Sequence, residues 1–313
     1  MSRIFDALQR AGVEQSGIEY PDMVSVATEV FEAPRGHAPL DRATTGQTPG
    51  FTAAAALAPT TEPPAPEKAN DDLAEFPSLE ISVTPASRLV CFTEPDSLAA
   101  EKFRFLGVRL RQLQQNRPLR PLTKVLVTST ISEEGKSLVS ANLAGVLARR
   151  KQKVLLLEGD LRRPVLAQQF GLGRLAGLGD WLRSGRRTVS NIYYLAGPGF
   201  WFMPAGDPPA NPLELMQSGR LSALMEQLTT LFDWIIVDSP PLLPLADTTV
   251  WARLTDGSLL VVREGTTEKA ALQRGLEILK KADLLGVVLN ACSNANHHNY
   301  YQRYYAARSS VKA

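Results

Sequence analysis

The stretch Leu126-Val-Thr-Ser-Thr-Ile-Ser-Glu-Glu-Gly-Lys-Ser137 runs from an apolar strand through a polar turn into Gly-Lys-Ser and the start of a helix. That order is how a P-loop holds phosphate: backbone N–H groups of the turn and of the first helical turn face the anion, and the helix dipole adds favourable potential. In such a loop the segment from Thr130 through Glu134, Gly135, Lys136, Ser137 and Leu138 wraps the phosphates of ATP, Lys136 reaches the β- and γ-phosphates, and the Ser137 hydroxyl joins the shell of Mg²⁺. The full pattern asks for Gly six residues before the Lys, where this chain has Thr130. Taken alone, the loop also suits a turn that opens an ordinary helix.

Two further segments decide between these. Lys153-Val-Leu-Leu-Leu-Glu-Gly-Asp-Leu-Arg-Arg-Pro164 is a second apolar strand whose end carries Glu158 and Asp160, and Phe232-Asp-Trp-Ile-Ile-Val-Asp-Ser-Pro-Pro241 is a third that ends in Asp238. In an open α/β sheet the carboxyl ends of parallel strands line one crevice, so these acids gather beside Lys136. Carboxylates in that position hold Mg²⁺, directly or through water, and accept the proton of an attacking hydroxyl. Asp160 is the preferred proton acceptor or metal-orienting acid, with Asp238 organising metal-bound water. Arg162 either steadies phosphate or an incoming phenol, or makes a surface salt bridge.

Outward from these motifs, short apolar runs alternate with amphipathic helices. Strands are expected at 124–129, 154–158, 192–196, 234–238, 258–263 and 285–290, and helices at 94–115, 137–149, 212–231 and 269–281. This pattern predicts an α/β fold, a mostly parallel sheet covered by helices on both faces, of the P-loop NTPase type. Four parts follow from composition: an amphipathic segment over 1–20, a linker rich in Pro, Ala and Thr over 21–78, an ATP-binding domain over 79–292 and a tyrosine-rich tail over 293–313. The linker cannot bury enough side chain to offset its ordering entropy.

Of the 313 residues 44% are apolar and 21% charged, and the net charge is +2, too mild to argue for a nucleic-acid partner. Cys91 and Cys292 are the only cysteines. Without a signal peptide or paired spacing they read as free thiols of a cytoplasmic protein. No run approaches the roughly 20 apolar residues that cross a bilayer, so membrane attachment is expected through a partner or a surface helix.

With these motifs in place the chain resembles the bacterial tyrosine kinases of exopolysaccharide and capsule synthesis, the BY-kinases, within the MinD/ParA-like P-loop ATPases. The resemblance spans about Glu94 to Tyr305. It is carried by Thr128 to Ser137, by Glu158, Asp160 and Arg162-Arg163-Pro164, by Asp238, by Phe202-Met-Pro-Ala-Gly206 with Asn211-Pro-Leu-Glu-Leu215, and by Asp256 to Arg263 with Thr266-Thr267. It is carried too by Gly286-Val-Val-Leu-Asn290, whose Asn290 resembles the family's adenine-contacting position; satisfying backbone groups is its alternative role.

Four of the seven tyrosines, Tyr300, Tyr301, Tyr304 and Tyr305, lie in the last 14 positions. Their spacing fits one aromatic face of a terminal helix, and it is also similar to the family's autophosphorylated cluster. The resemblance implies an ATP- and Mg²⁺-dependent tyrosine autokinase, regulating polysaccharide polymerisation and export. It implies a membrane-embedded co-polymerase or activator as partner, a cognate tyrosine phosphatase and a homo-oligomer, with the chain peripheral to the inner face of the cytoplasmic membrane.

Three departures favour a second reading, a nucleotide-controlled binding protein with weak transfer. Ser132-Glu133 stands where the family has Pro-Gly, Glu158 replaces the first Asp of the second acidic motif, and Gly107 replaces the second Arg of an oligomerisation motif that retains Glu101 and Arg104. A positioning ATPase like MinD or ParA would place a signature Lys where this chain has Ile131.

Overall fold

Eight strands form one sheet in the order β1-β4-β5-β3-β6-β2-β7-β8. The computed structural model describes residues 73–280 and 282–292. Its strands are β1 (Ser78–Leu79), β2 (Lys124–Ser129), β3 (Val154–Glu158), β4 (Tyr193–Leu195), β5 (Phe200–Met203), β6 (Trp234–Asp238), β7 (Gly257–Arg263) and β8 (Leu284–Asn290). All neighbours pair in parallel except β4 with β5, which are antiparallel.

The helices are α1 (Val90–Thr93), α2 (Leu98–Gln115), α3 (Lys136–Ala148), α4 (Leu166–Gln169), α5 (Leu178–Ser184), α6 (Pro212–Met216), α7 (Arg220–Leu231), α8 (Asp247–Leu254) and α9 (Lys269–Leu279). Among the described residues no helix is long and apolar enough to cross a membrane.

The central strands carry apolar runs with no polar alternation because both faces are covered. Val125 and Val127 of β2, Val154 and Leu156 of β3, and Trp234 and Ile236 of β6 enter one core with Leu143 and Leu147 of α3 and Leu110 of α2. The intervening Leu126, Leu155, Leu157, Ile235 and Val237 enter a second core with Leu221, Leu224 and Leu228 of α7, Trp181 of α5 and Trp251 of α8. Successive side chains of a strand point to opposite faces, so these short apolar runs feed two cores at once. Each fully buried Leu, Ile or Val contributes about 1.5–3 kcal/mol to that packing.

Several sequence expectations shift in the structure. The helix expected over 212–231 is two, α6 and α7, because Gly219 adopts a left-handed φ of 77° between them. The helix expected from Glu94 starts at Leu98, where the Ser97 side chain accepts the Ala100 N–H at 3.1 Å and caps it. Strand β5 and helices α5 and α8 were not anticipated at all. Within residues 73–78, placed in the linker by composition, Leu73 is buried in the second core and Ser78 pairs with Tyr194. The expected amino-terminal segment, most of the linker and the tail tyrosines lie outside the described residues.

Candidate phosphate-binding site

Sheet order sets the site. Strand β6 lies between β2 and β3, and the register aligns Asp238 with Val127 on one side and with Glu158 on the other. The phosphate loop and both acidic strand ends therefore leave the sheet at one level. The backbone continues this alignment beyond the strands: Gly159 N–H donates to the Asp238 carbonyl at 2.7 Å, and Leu242 and Leu243 N–H groups donate to Ser129 and Thr130 carbonyls at 2.8 and 3.0 Å.

Above these ends opens a cleft of about 830 Å³. Ser132, Glu133, Gly135, Lys136, Ser137 and Leu138 line one wall, Asp160, Arg162 and Arg163 the next, with Arg88 and Pro241 among the remaining lining residues. Thr130, Glu134, Glu158, Asp238 and Asn290 do not line it.

Lys136 is the electrostatic centre. Its ammonium lies 3.3 Å from Asp160 Oδ2 and 3.4 Å from Ser137 Oγ. Burial works against its charge, yet Asp238, Asp160 and Glu158 together outweigh that cost, so its pKa rises above the ordinary lysine value. Asp238 is fully buried; desolvation pushes its carboxyl above the usual range, against the opposing pull of Lys136 and of hydroxyls at Ser137 and Ser140. Ser140 Oγ donates to Oδ1 at 3.3 Å, while Oδ2 is buried with no partner in the protein.

An orphaned carboxylate oxygen behind a lysine and a serine hydroxyl is the donor set of a hard cation that takes its other ligands from water and phosphate. Mg²⁺ fits it. No cluster of three or more His, Cys, Asp or Glu side chains suited to a metal occurs among the described residues, so protein carboxylates alone do not form a complete cage.

The loop is braced from below. Glu134 is fully buried, and its carboxylate accepts the Ile131 N–H at 2.8 Å and the hydroxyl of Thr267. Gly135 has φ 94°, a conformation suited to glycine, and a Cβ there would come within 2.1 Å of Asn290 Nδ2. Asn290 itself donates to the Glu134 carbonyl at 2.9 Å, so its amide holds the loop, the alternative role left open by the sequence. The Thr130 hydroxyl is buried and unpartnered, and it faces Gly275 of α9.

Glu158 departs from the expectation that placed it among the acting acids. Its Oε1 accepts the N–H groups of Val165 and Leu166 at 2.7 and 2.6 Å, and Oε2 accepts that of Ala205 at 3.0 Å. Burial raises its pKa and these three amides oppose the rise. The carboxylate thereby bonds amides on two loops, two at Oε1 and one at Oε2.

Arg162 makes the salt bridge that was one of its two expected roles. Its partner, Asp247 on α8, was not singled out in the sequence; the separation of 85 positions hid it. Trp251, also on α8, was missed for the same reason, and its indole N–H donates to the Gly159 carbonyl at 3.1 Å.

Residues 125–311 match the model of the CobQ/CobB/MinD/ParA nucleotide binding domain. Tyrosine-protein kinase YwqD of Bacillus subtilis (strain 168) is 32% identical over 214 residues, which cover 68% of this chain and 89% of that protein. The chain belongs to the bacterial tyrosine kinases. Another member of the family, the putative tyrosine-protein kinase CapB of Staphylococcus aureus, is 30% identical over 220 residues, covering 70% of this chain and 95% of CapB. Among solved structures, the chimerical protein CapA2B2 superposes with a TM-score of 0.62 at 27% identity, over 72% of this chain and 98% of that one. Kinase activity and the P-loop fold thus come with membership of this family.

Proposed function

We propose that this protein is an ATP-dependent tyrosine autokinase that regulates exopolysaccharide or capsule polymerisation and export. The observation that carries the reading is the convergence of Lys136 and Asp160 on one cleft, with buried Asp238 acting on the same lysine, in a chain similar to tyrosine-protein kinase YwqD over most of that protein's length.

The loop amides and the amino terminus of α3 receive the ATP phosphates, and Lys136 balances their charge. Ser137, Asp160 and Asp238 would hold Mg²⁺, directly or through water; when bound, the ion neutralises and orients the phosphate oxygens. A phenol has a pKa near 10 and is a poor nucleophile at neutral pH. Asp160 stands on the cleft wall where it can accept the phenolic proton as attack proceeds. Glu158 supports this loop through its three amide contacts, and Asn290 supports the phosphate loop from behind.

Tyr300, Tyr301, Tyr304 and Tyr305 are the proposed acceptors. Each phosphorylation adds nearly two negative charges, which would loosen a homo-oligomer and which a cognate tyrosine phosphatase would remove. The partner is a membrane-embedded co-polymerase or activator that holds this cytoplasmic chain at the inner face of the membrane; no nucleic acid takes part. A catalytically weak binding protein is the second reading, and it draws on Glu133, which brings a carboxylate to the phosphate cleft at a left-handed φ of 67°.

The deciding experiment is transfer of labelled γ-phosphate from Mg²⁺–ATP to the purified chain, with and without a membrane-activator fragment, followed by mapping of the label. Lys136-dependent label on Tyr300 to Tyr305 is expected. ATP binding without label in the presence of a competent activator would select the binding protein, and label that persists when all four tyrosines are Phe would overturn the tail assignment.

A further inference from the structure

We infer that Asp247 is a positioning residue of the cleft: it holds the Arg162 guanidinium away from Asp160 and leaves that carboxylate to Lys136 and the metal site. The effect on phosphate transfer rests on the kinase reading above, whereas the effect on metal and nucleotide binding does not.

Asp160 and Arg162 share one tight loop. Asp160 Oδ1 accepts the backbone N–H groups of Arg162 and Arg163 at 3.3 and 3.0 Å, which folds the carboxylate back over the turn from which the arginine side chain departs. A guanidinium prefers to engage a carboxylate with two parallel N–H bonds, and Asp160 already acts on Arg162 through its charge. Left unrestrained, Arg162 would compete with Lys136 for the same acid.

The structure gives that fork to another carboxylate. Arg162 Nε donates to Asp247 Oδ2 at 2.6 Å and Nη2 to Oδ1 at 3.1 Å. The Asp247 side chain is only 2% exposed and Arg162 is 38% exposed, so losing the arginine strands a buried carboxylate, whereas losing the aspartate frees the guanidinium to move. Arg162 lines the cleft and Asp247 does not, which makes the aspartate's influence indirect.

Helix α8 holds Asp247 in place. Trp251 ties the helix to the β3 loop at Gly159, and the Thr248 hydroxyl reaches the carbonyls of Pro240 and Pro241 after β6 at 2.9 and 3.1 Å. One helix thus spans both acid-bearing loops, and Asp247 is the point at which it controls a charged side chain of the cleft.

The test compares Asp247→Asn, Arg162→Ala and the double variant in the full chain. Two quantities are read: the free Mg²⁺ needed for half-maximal binding of N-methylanthraniloyl-ATP, and kcat and KM for ATP in phosphate transfer. Asp247→Asn should raise the Mg²⁺ requirement and lower kcat by about tenfold or more, the scale of supporting contacts around a metal site, with KM nearly unchanged at saturating Mg²⁺.

The double variant should return to the Arg162→Ala level in both readouts, better than Asp247→Asn alone. Multiplying losses in the double variant, or an unchanged Mg²⁺ requirement in Asp247→Asn, overturns the inference. If Asp247→Asn does not fold, Arg162→Lys takes its place, since it keeps the charge without the fork. It should raise the Mg²⁺ requirement in the same way, and an unchanged value overturns the inference. A wild-type chain that binds nucleotide but transfers no phosphate defeats the kinase reading, while the Mg²⁺ titration still decides the role of Asp247.

Discussion

The indole of Trp251 lies directly on Gly159: a Cβ added at 159 would sit 2.8 Å from the ring, and the indole N–H bonds the Gly159 carbonyl. The glycine between Glu158 and Asp160 is therefore a contact surface for α8. Gly159→Ala should displace Trp251 and cost about 1–3 kcal/mol of stability, the scale of overpacking in a filled core. Denaturant titration checks the loss, and nucleotide binding should weaken with it because the Asp160 loop moves.

Glu134 makes a second prediction. Glu134→Gln keeps the shape of the brace but removes its charge and turns one acceptor into a donor, facing either the Ile131 N–H or the Thr267 hydroxyl. A mismatched buried polar group costs about 1–3 kcal/mol. ATP affinity, measured by calorimetry, should fall about tenfold, equivalent to about 1.4 kcal/mol.

Gly107 stands where the resemblance implies an arginine, and α2 packs too closely on α3 there to admit a side chain without movement. A Cβ at 107 would stand 2.7 Å from Val146 Cγ1 on α3, while Glu101 and Arg104 still pair at 2.7 Å. Helix propensity alone would make Gly107→Ala stabilising by about 1 kcal/mol. The contact reverses the sign, so Gly107→Ala should be destabilising and Gly107→Arg more so. Thermal denaturation gives the sign, and sedimentation should show no oligomer gained by Gly107→Arg.

Asp238 and Glu158 predict a pH dependence. Both carboxyls are raised in the folded chain, so between the ordinary carboxylate pKa and the raised value the native state binds more protons than the unfolded state. Stability therefore falls as pH rises through that window. Asp238→Asn should reduce this decline and raise the denaturation midpoint at neutral pH. The same variant should lower phosphate transfer by about two orders of magnitude or more, the scale of groups acting on protons or developing charge. A wild-type midpoint that climbs with pH over the weakly acidic range would contradict the assignment.

The sequence by itself determined the α/β class, strands β2, β3 and β6 to the residue, and the cluster of Lys136, Ser137, Asp160 and Asp238. These depend on local patterns: apolar runs that can only be buried strands, a Gly-Lys-Ser turn, and acids at strand ends. The tertiary structure alone decided what the neighbouring residues do. Glu158 reads as one more acid of the crevice until its contacts with Val165, Leu166 and Ala205 occupy both oxygens. Arg162 reads equally as phosphate ligand or salt bridge until α8 brings Asp247 to it from 85 positions away. Helix α8 and strand β5 are short, eight and four residues, too brief for a local pattern to mark them as elements without their neighbours. Charge and hydrogen-bond partnerships act over a few ångströms, whatever the distance along the chain, and only folding sets which groups come that close.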